Sequence, residues 1–245
     1  MEDLELFKNR IDSYIDKAYS GGVALLPFLD EAKIAIINNK IKSSGVNAYF
    51  DGGIINSDRK RAILSMYDVE NDDFKIEIFK IEYNKKFYEI NHRAILGSLM
   101  SLGIKRECIG DIVIDDNLDA YVAVTKEISA YLLDHFNSVG KATINLIKTD
   151  YKITNNIKYE DKLHFLSSLR LDVFVAAAAK ASRSEALEMI ASGLIFLNAL
   201  EIKNPSHILK CDDIISIRHK GKFKLSSIGN ESKSGRLAVT ISKRI

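Results

Sequence analysis

Between residues 73 and 160 the hydrophobic period switches back and forth between strand and helix. That order of periods constrains the fold more than any other feature of the chain. Phe74-Lys75-Ile76-Glu77-Ile78-Phe79-Lys80-Ile81 alternates mostly apolar with polar, as a half-buried strand does. His92 to Leu102 carries a helical pattern that stops at Gly103. Ile112-Val113-Ile114 and Tyr121-Val122-Ala123-Val124 read as strands about a turn at Asp115-Asp116-Asn117. Lys126 to Phe136 reads as a second helix and Thr143 to Ile147 as a last strand. This β-α-β-β-α-β order predicts a ferredoxin-like domain over 73–160. Many RNA-binding modules share the order, but fold does not imply function. The segment lacks the Gly-aromatic strand signature with which the common RNA-recognition module stacks bases, so RNA binding by its sheet is not expected. Lys105-Arg106, beside Gly103 and Gly110, reads either as a phosphate contact or as a charge pair favoured by a helix C-terminus.

The segment before it, 1–72, predicts a small, mostly helical α/β domain. Leu4, Phe7, Ile11, Tyr14, Ile15 and Ala18 recur at helical spacing until Gly21-Gly22. A second helix is expected from Pro27, which suits a first helical turn, through Ile34 and Ile37 to Ile41. Val46 to Phe50 predicts a strand and Asp51-Gly52-Gly53 a turn. Asp58-Arg59-Lys60-Arg61 then reads either as a helix start capped by Asp58 or as a phosphate contact. Residues 148–162 are polar and read as a linker or the edge of a strand. The predicted class is therefore α+β, with a third domain over 161–245.

Charge sets that third segment apart. Residues 1–160 hold 21 Lys/Arg against 25 Asp/Glu, whereas 161–245 hold 14 against 8. A basic module on a slightly acidic body is the footprint expected of a polyanion-binding protein, and a solvated basic surface is the alternative. The rest of the composition mostly excludes. At 47% hydrophobic the chain can bury a core, which rules out general disorder. Cys108 and Cys211 are too few and too far apart for a disulfide framework or a four-thiolate metal site, and read as reduced thiols of a cytoplasmic protein. Met1-Glu2-Asp3-Leu4-Glu5 does not read as a signal peptide, and the longest apolar runs fall well short of the ~20 residues of a membrane helix. The five histidines are scattered singly, no cluster has metal-ligand spacing, and no cofactor is expected.

Within the basic module, Leu169 to Lys180 predicts a helix whose Ala176 to Ala179 allow close packing. Ser182-x-x-Glu185 is a capping-box pattern opening a second helix, which places Ala186, Leu187, Ile190 and Ala191 on one face and ends at Gly193 in the left-handed region. Leu194 to Leu197 is a short strand, Asn198-Ala199 a tight turn, Ile202 the start of the return strand, and Ile214 to Arg218 a further strand. Arg183 in a first helical turn is placed where exposed N–H groups favour phosphate. Arg170, Lys180 and Arg183 can converge across the helix–turn–helix, and arginine forks grip phosphate in bidentate fashion. Arg218, Lys220, Lys222 and Lys224 would extend that surface. Other readings stand beside these: Arg170 pairing with an acid, Asp172 as a structural partner, Asn198 as a turn former rather than a base reader, and Ser182 as a cap before a phosphate donor.

In order and spacing, Arg170-Leu171-Asp172, Ser182-Arg183-Ser184-Glu185-Ala186, Ile190 with Gly193, Asn198, Pro205-Ser206, Asp213, and Arg218 with Gly221 resemble the S-four RNA-binding domain. Two positions depart from it: Ala199 stands where that domain has Gly, and Asp212 where it has Gly before Asp213. If position 199 needs a positive φ, Ala there costs on the order of 1 kcal/mol. Asp51-Gly52-Gly53 with Arg59-Lys60-Arg61, the run His92 to Ile112 containing Gly97, Gly103-Ile104-Lys105-Arg106-Glu107 and Ile109-Gly110-Asp111, and the stretch Gly229 to Gly235 with Arg236-Leu237-Ala238-Val239 resemble the YlmH family. The resemblance implies a non-enzymatic, cytoplasmic RNA-binding protein that associates with the large ribosomal subunit and acts in rescue of stalled subunits carrying peptidyl-tRNA. Its implied partners are structured RNA, ribosomal RNA or tRNA. The alternatives are an RNA-modifying enzyme targeted by its S-four domain, or a scaffold whose acidic body docks a protein partner in quality control. No Gly-rich turn follows a strand to hold a methyltransferase cofactor, and no nucleotide-binding signature is present.

Overall fold

Helix α1 (Leu4–Tyr19) buries Phe7, Ile11 and Ala18, one stripe of its helical period. Strand β1 (Ala24–Leu25) follows, then helix α2 (Glu31–Lys40) and strands β2 (Asn47–Asp51) and β3 (Arg61–Ser65), in an antiparallel sheet of order β1-β3-β2. Helix α2 starts four residues later than Pro27 suggested. Leu26 N–H donates to the Ala62 carbonyl and Leu29 pairs with Lys60, so this stretch extends the sheet, and the Asp30 carboxylate caps the helix by accepting from Lys33 N–H at 3.0 Å. Asp58-Arg59-Lys60 bends into strand β3, which Arg61 opens, and no helix starts there. The computed structural model describes residues 4–150, 152–232 and 235–245, so Met1 to Asp3, Tyr151 and Lys233-Ser234 of the features above lie outside the described residues.

The expected ferredoxin-like arrangement is present. Strand β4 (Ile76–Tyr83), helix α3 (His92–Ser101), strands β5 (Ile109–Ile114) and β6 (Ala120–Thr125), helix α4 (Ser129–His135), the short β7 (Ser138–Val139) and β8 (Ala142–Lys148) follow in chain order. They form an antiparallel sheet of order β5-β6-β4-β8-β7. One face carries Phe79, Ile81, Val122 and Val124 into a core with Ile95 and Leu99 of α3 and Leu132 of α4. Each such side chain contributes roughly 1.5–3 kcal/mol when fully buried. The opposite face does not stand free. Val113 and Ala123 are covered by Phe28 and Ile54 of the N-terminal segment, with Ile76, Ile78 and Ile153 packed around them.

That covering layer explains the Gly-rich motif. A Cβ on Gly110 would lie 2.6 Å from the Phe28 ring, and one on Gly53, at φ +74, would lie 2.7 Å from the Ile76 side chain. The glycines let the N-terminal layer sit directly on the sheet. Residues 1–156 accordingly form one compact unit, with no division at residue 72, and 157–245 form a second.

In the second unit the polar connector becomes strand β9 (Tyr159–Leu166), pairing antiparallel along its whole length with β14 (Leu237–Arg244). Between them come helices α5 (Leu171–Ala179) and α6 (Arg183–Ala191) and strands β10 (Ile195–Leu197), β11 (Leu200–Glu201), β12 (Ile214–Ile217) and β13 (Gly221–Glu231). The sheet order is β11-β10-β12-β13-β14-β9. Its core gathers Leu171, Phe174 and Val175 of α5 and Ala186 and Ile190 of α6 against Ile195, Ile215, Leu225 and Val239. The β10–β11 hairpin turns on two residues, Asn198 at φ 46 and Ala199 at φ 69, the signature of a type I′ turn. The return strand therefore resumes at Leu200, not at Ile202. Position 199 does require the left-handed region, and Ala carries the strain there. Asp212 also takes it, at φ 70.

Candidate nucleic-acid interface

Asp172 organises the surface. It sits in the first turn of α5 with 1% of its area exposed. One oxygen accepts from Arg170 Nε at 3.0 Å and the other from Arg170 at 3.2 Å and from Arg183 Nε and Nη2 at 3.0 and 2.9 Å. It also accepts from Val173 N–H. Burial pushes its carboxyl up, but the bonds and charges of Arg170 and Arg183 outweigh that and hold it below the usual aspartate range. The two arginine side chains stay 34% and 61% exposed. A single buried carboxylate thus fixes two guanidiniums from different elements side by side, with one positive charge in excess and free edges turned to solvent. Both readings of Arg170 are realised at once: it pairs with an acid and remains on the surface.

The α5–α6 junction fixes Arg183 from the other side. Lys180 ends α5 in the left-handed conformation, at φ 52, and is exposed. The Ser182–Glu185 capping box is present in both directions: Ser182 Oγ accepts from Glu185 N–H at 3.2 Å, and Ser182 N–H donates to Glu185 at 2.6 Å. Ser182 is therefore a helix cap. Asn198 is a turn former: its amide donates to Asp213 at 2.9 Å and its oxygen accepts from Ile214 N–H at 3.0 Å.

The basic strand and loop divide by role. Arg218 lies over the Phe196 ring at 5.2 Å, and its side chain is exposed. Lys220 donates to the Ala179 carbonyl at 3.0 Å, satisfying the C-terminal end of α5. Lys224 pairs with Asp212 at 2.8 Å, which raises its pKa. Lys222 is half-buried on the same strand.

The basic clusters of the first unit are drawn inward to different degrees. Arg61 is 5% exposed and donates to the Leu26 and Lys75 carbonyls at 3.0 Å each, with Glu127 at 3.4 Å. Arg59 donates to the Phe28 and Ile109 carbonyls at 2.9 and 3.1 Å. Arg106 folds back onto the Ile109 and Gly110 carbonyls. Burial lowers the pKa of all three, and that of Arg106, beside the Arg59 charge, falls to about 10. Asp111, 7% exposed, accepts from Asp58 and Arg59 N–H at 2.7 and 3.1 Å. Arg59, Arg61 and Arg106 thus hydrogen-bond backbone carbonyls within the first unit, Arg61 buried and Arg59 and Arg106 half-buried. Lys60 pairs through its backbone with Leu29, and Lys105 is exposed. The density of charge in the motif gave no sign of these bonds, because the acceptors of Arg59 and Arg61 lie far away in sequence.

The second unit combines a capped helix–turn–helix, an arginine pair on a buried acid and a following antiparallel sheet, which is the construction of an S-four RNA-binding module. The family model described as "S4 domain" matches residues 169–215, and that described as "Putative RNA-binding domain in YlmH" matches residues 69–153. The chain is 31% identical over 224 residues to "Ribosome-associated protein quality control protein P2" of Bacillus subtilis (strain 168), covering 90% of this chain and 87% of that protein. In fold it is similar to "Cell division protein ylmH from Streptococcus pneumoniae", with a TM-score of 0.52 and 24% identity over 61% of this chain and 93% of that one. The chain belongs to the YlmH family. Among the described residues no helix is long and apolar enough to cross a membrane.

Proposed function

We propose that this protein is a non-enzymatic factor that binds ribosomal RNA or tRNA on the large ribosomal subunit and acts in rescue or quality control of stalled subunits. The observation that carries the reading is the Asp172 clamp, which presents Arg170 and Arg183 as a rigid pair beside Lys180. Two planar forks held in fixed relation suit the phosphates of folded RNA, and the ordering entropy is spent before binding. The ribosome-associated name of the Bacillus subtilis relative supports the choice of RNA. The reading places the protein in the cytoplasm, where the ribosome is.

Co-sedimentation with separated ribosomal subunits tests it, comparing the wild type with Arg170→Glu/Arg183→Glu. Salt-sensitive binding to the large subunit, lost in the double variant while its thermal transition persists, is the expected result. About five phosphate contacts to looped RNA give a log–log salt slope of roughly −3 to −4. Binding to neither subunit, or binding indifferent to salt and to both arginines, refutes it.

A further inference from the structure

Strands β9 and β14 run past the end of helix α5. On the face of the sheet that α5 covers, Leu166 and Val239 are buried in the core. Side chains two apart in a strand share a face, so Glu160, Lys162 and His164 continue the row of Leu166 along β9. Lys243 lies opposite Glu160 on β14. Helix α5 stops at Ala179, so these residues line an open groove of about 610 Å³ instead of a core. Lys180 and Lys220 close its helix side, and Ala177 to Ala179 leave it deep.

The groove is cationic. Four lysines face one acid, Glu160, which pairs with Lys162 at 2.8 Å. That bond, with the charges of Lys243 and Lys180, holds the Glu160 carboxyl below its usual range. Burial and the Lys162 charge lower the pKa of His164. Lys220 is committed to the Ala179 carbonyl and offsets the negative end of the helix. Lys180, two residues before Ser182, joins the groove to the arginine pair. The S-four match spans 169–215, so β9, β13 and β14, which supply Lys162, Lys243 and a wall of the groove, lie outside the matched residues.

We propose that this groove is a second RNA phosphodiester-binding site, in which Lys162, Lys180 and Lys243 receive backbone phosphates continuing from the strand held by Arg170 and Arg183. It rests on the RNA-binding reading above and extends it to a surface outside the S-four match. Phosphate contacts position a nucleic acid without reading its sequence, so any structured RNA engages the groove.

The test is fluorescence anisotropy of a labelled RNA hairpin, titrated at several salt concentrations with the full-length protein. Lys162→Gln/Lys243→Gln is compared with the wild type, with Arg170→Glu/Arg183→Glu, and with the control Lys203→Gln/Lys210→Gln, two exposed lysines of the same unit outside the groove. Loss of two contacts flattens the salt slope by roughly 1.4 and weakens binding roughly 10- to 30-fold near 0.1 M salt. The expected result is that loss in the groove variant, a smaller one in the control, and recovery in Lys162→Arg/Lys243→Arg. An unchanged slope in the groove variant, with loss in the arginine variant, overturns the groove and leaves the arginine surface standing. Loss in the groove variant alone supports the groove and overturns the arginine surface. No salt-dependent binding by the wild type overturns both.

Discussion

Replacing Asp172 by Asn separates charge from geometry at the proposed RNA-binding surface. Asn keeps the shape and one acceptor oxygen, so the Val173 N–H can still be met. The four bonds from Arg170 and Arg183 lose their charge-assisted partner. Removing one member of a fully buried ion pair costs ~3–5 kcal/mol. Here the arginines are 34% and 61% exposed and rehydrate, so about 2 kcal/mol is expected. For a domain of this size that lowers the melting temperature by roughly 8–16 °C. Affinity discriminates further. The variant is one unit more positive, so attraction by net charge alone predicts tighter RNA binding. Preorganisation predicts the opposite, because two mobile arginines must then be ordered on binding, at about 0.5–1.5 kcal/mol each. The expected outcome is a loss of roughly 5- to 100-fold in RNA affinity. It is measured by anisotropy at moderate salt, below the variant's melting temperature. Unchanged or tighter binding by the folded variant would refute the idea that Asp172 builds the surface.

The same carboxylate sets an acid limb. Its folded pKa lies below the unfolded value, so its stabilisation is complete above about pH 4 and is lost as pH falls through the folded pKa. Acid unfolding of Asp172→Asn should therefore converge on the wild type as pH drops, with the difference widest near neutrality. Ala199→Gly relieves a left-handed Ala and should stabilise the second unit by about 0.5–1 kcal/mol, read as a rise in its thermal transition. Arg61→Met removes the donor to the Leu26 carbonyl, while the Lys75 carbonyl keeps Lys126 N–H, so about 1–3 kcal/mol of stability should be lost in urea unfolding while RNA affinity holds. An affinity loss with intact stability would return Arg61 to the RNA surface.

Local chemistry made much of this protein legible without coordinates. The strand and helix periods of 73–160, the Ser182–Glu185 box, the left-handed Gly193 and the turn at Asn198-Ala199 each depend on neighbours within a few residues, and all are present, except that Phe74 ends a 3-10 turn and Lys75 is left-handed, so the first strand opens at Ile76. Basic residues carry no such local signal. Arg59 and Arg106 look as available as Arg170 and Arg183 in a list of charges. Arg59 is taken by carbonyls 31 and 50 residues away in sequence, Arg106 by carbonyls of its own turn, and the last two by an acid that leaves their outer edges exposed. The groove was equally silent, because Lys162 belonged to an apparent connector until β14 paired with it.

Periodicity, backbone preference and composition were enough for the element order of the middle domain, the Ser182–Glu185 cap, the left-handed turn at Asn198-Ala199 and the basic C-terminal module. Which cations are drawn inward and which stay exposed depends on chain folding over longer distances. An arginine's role is set by what lies within about 3 Å of its guanidinium. For Arg61 that is the carbonyls of a layer folded back from elsewhere in the chain, and for Arg183 it is one buried carboxylate eleven residues away.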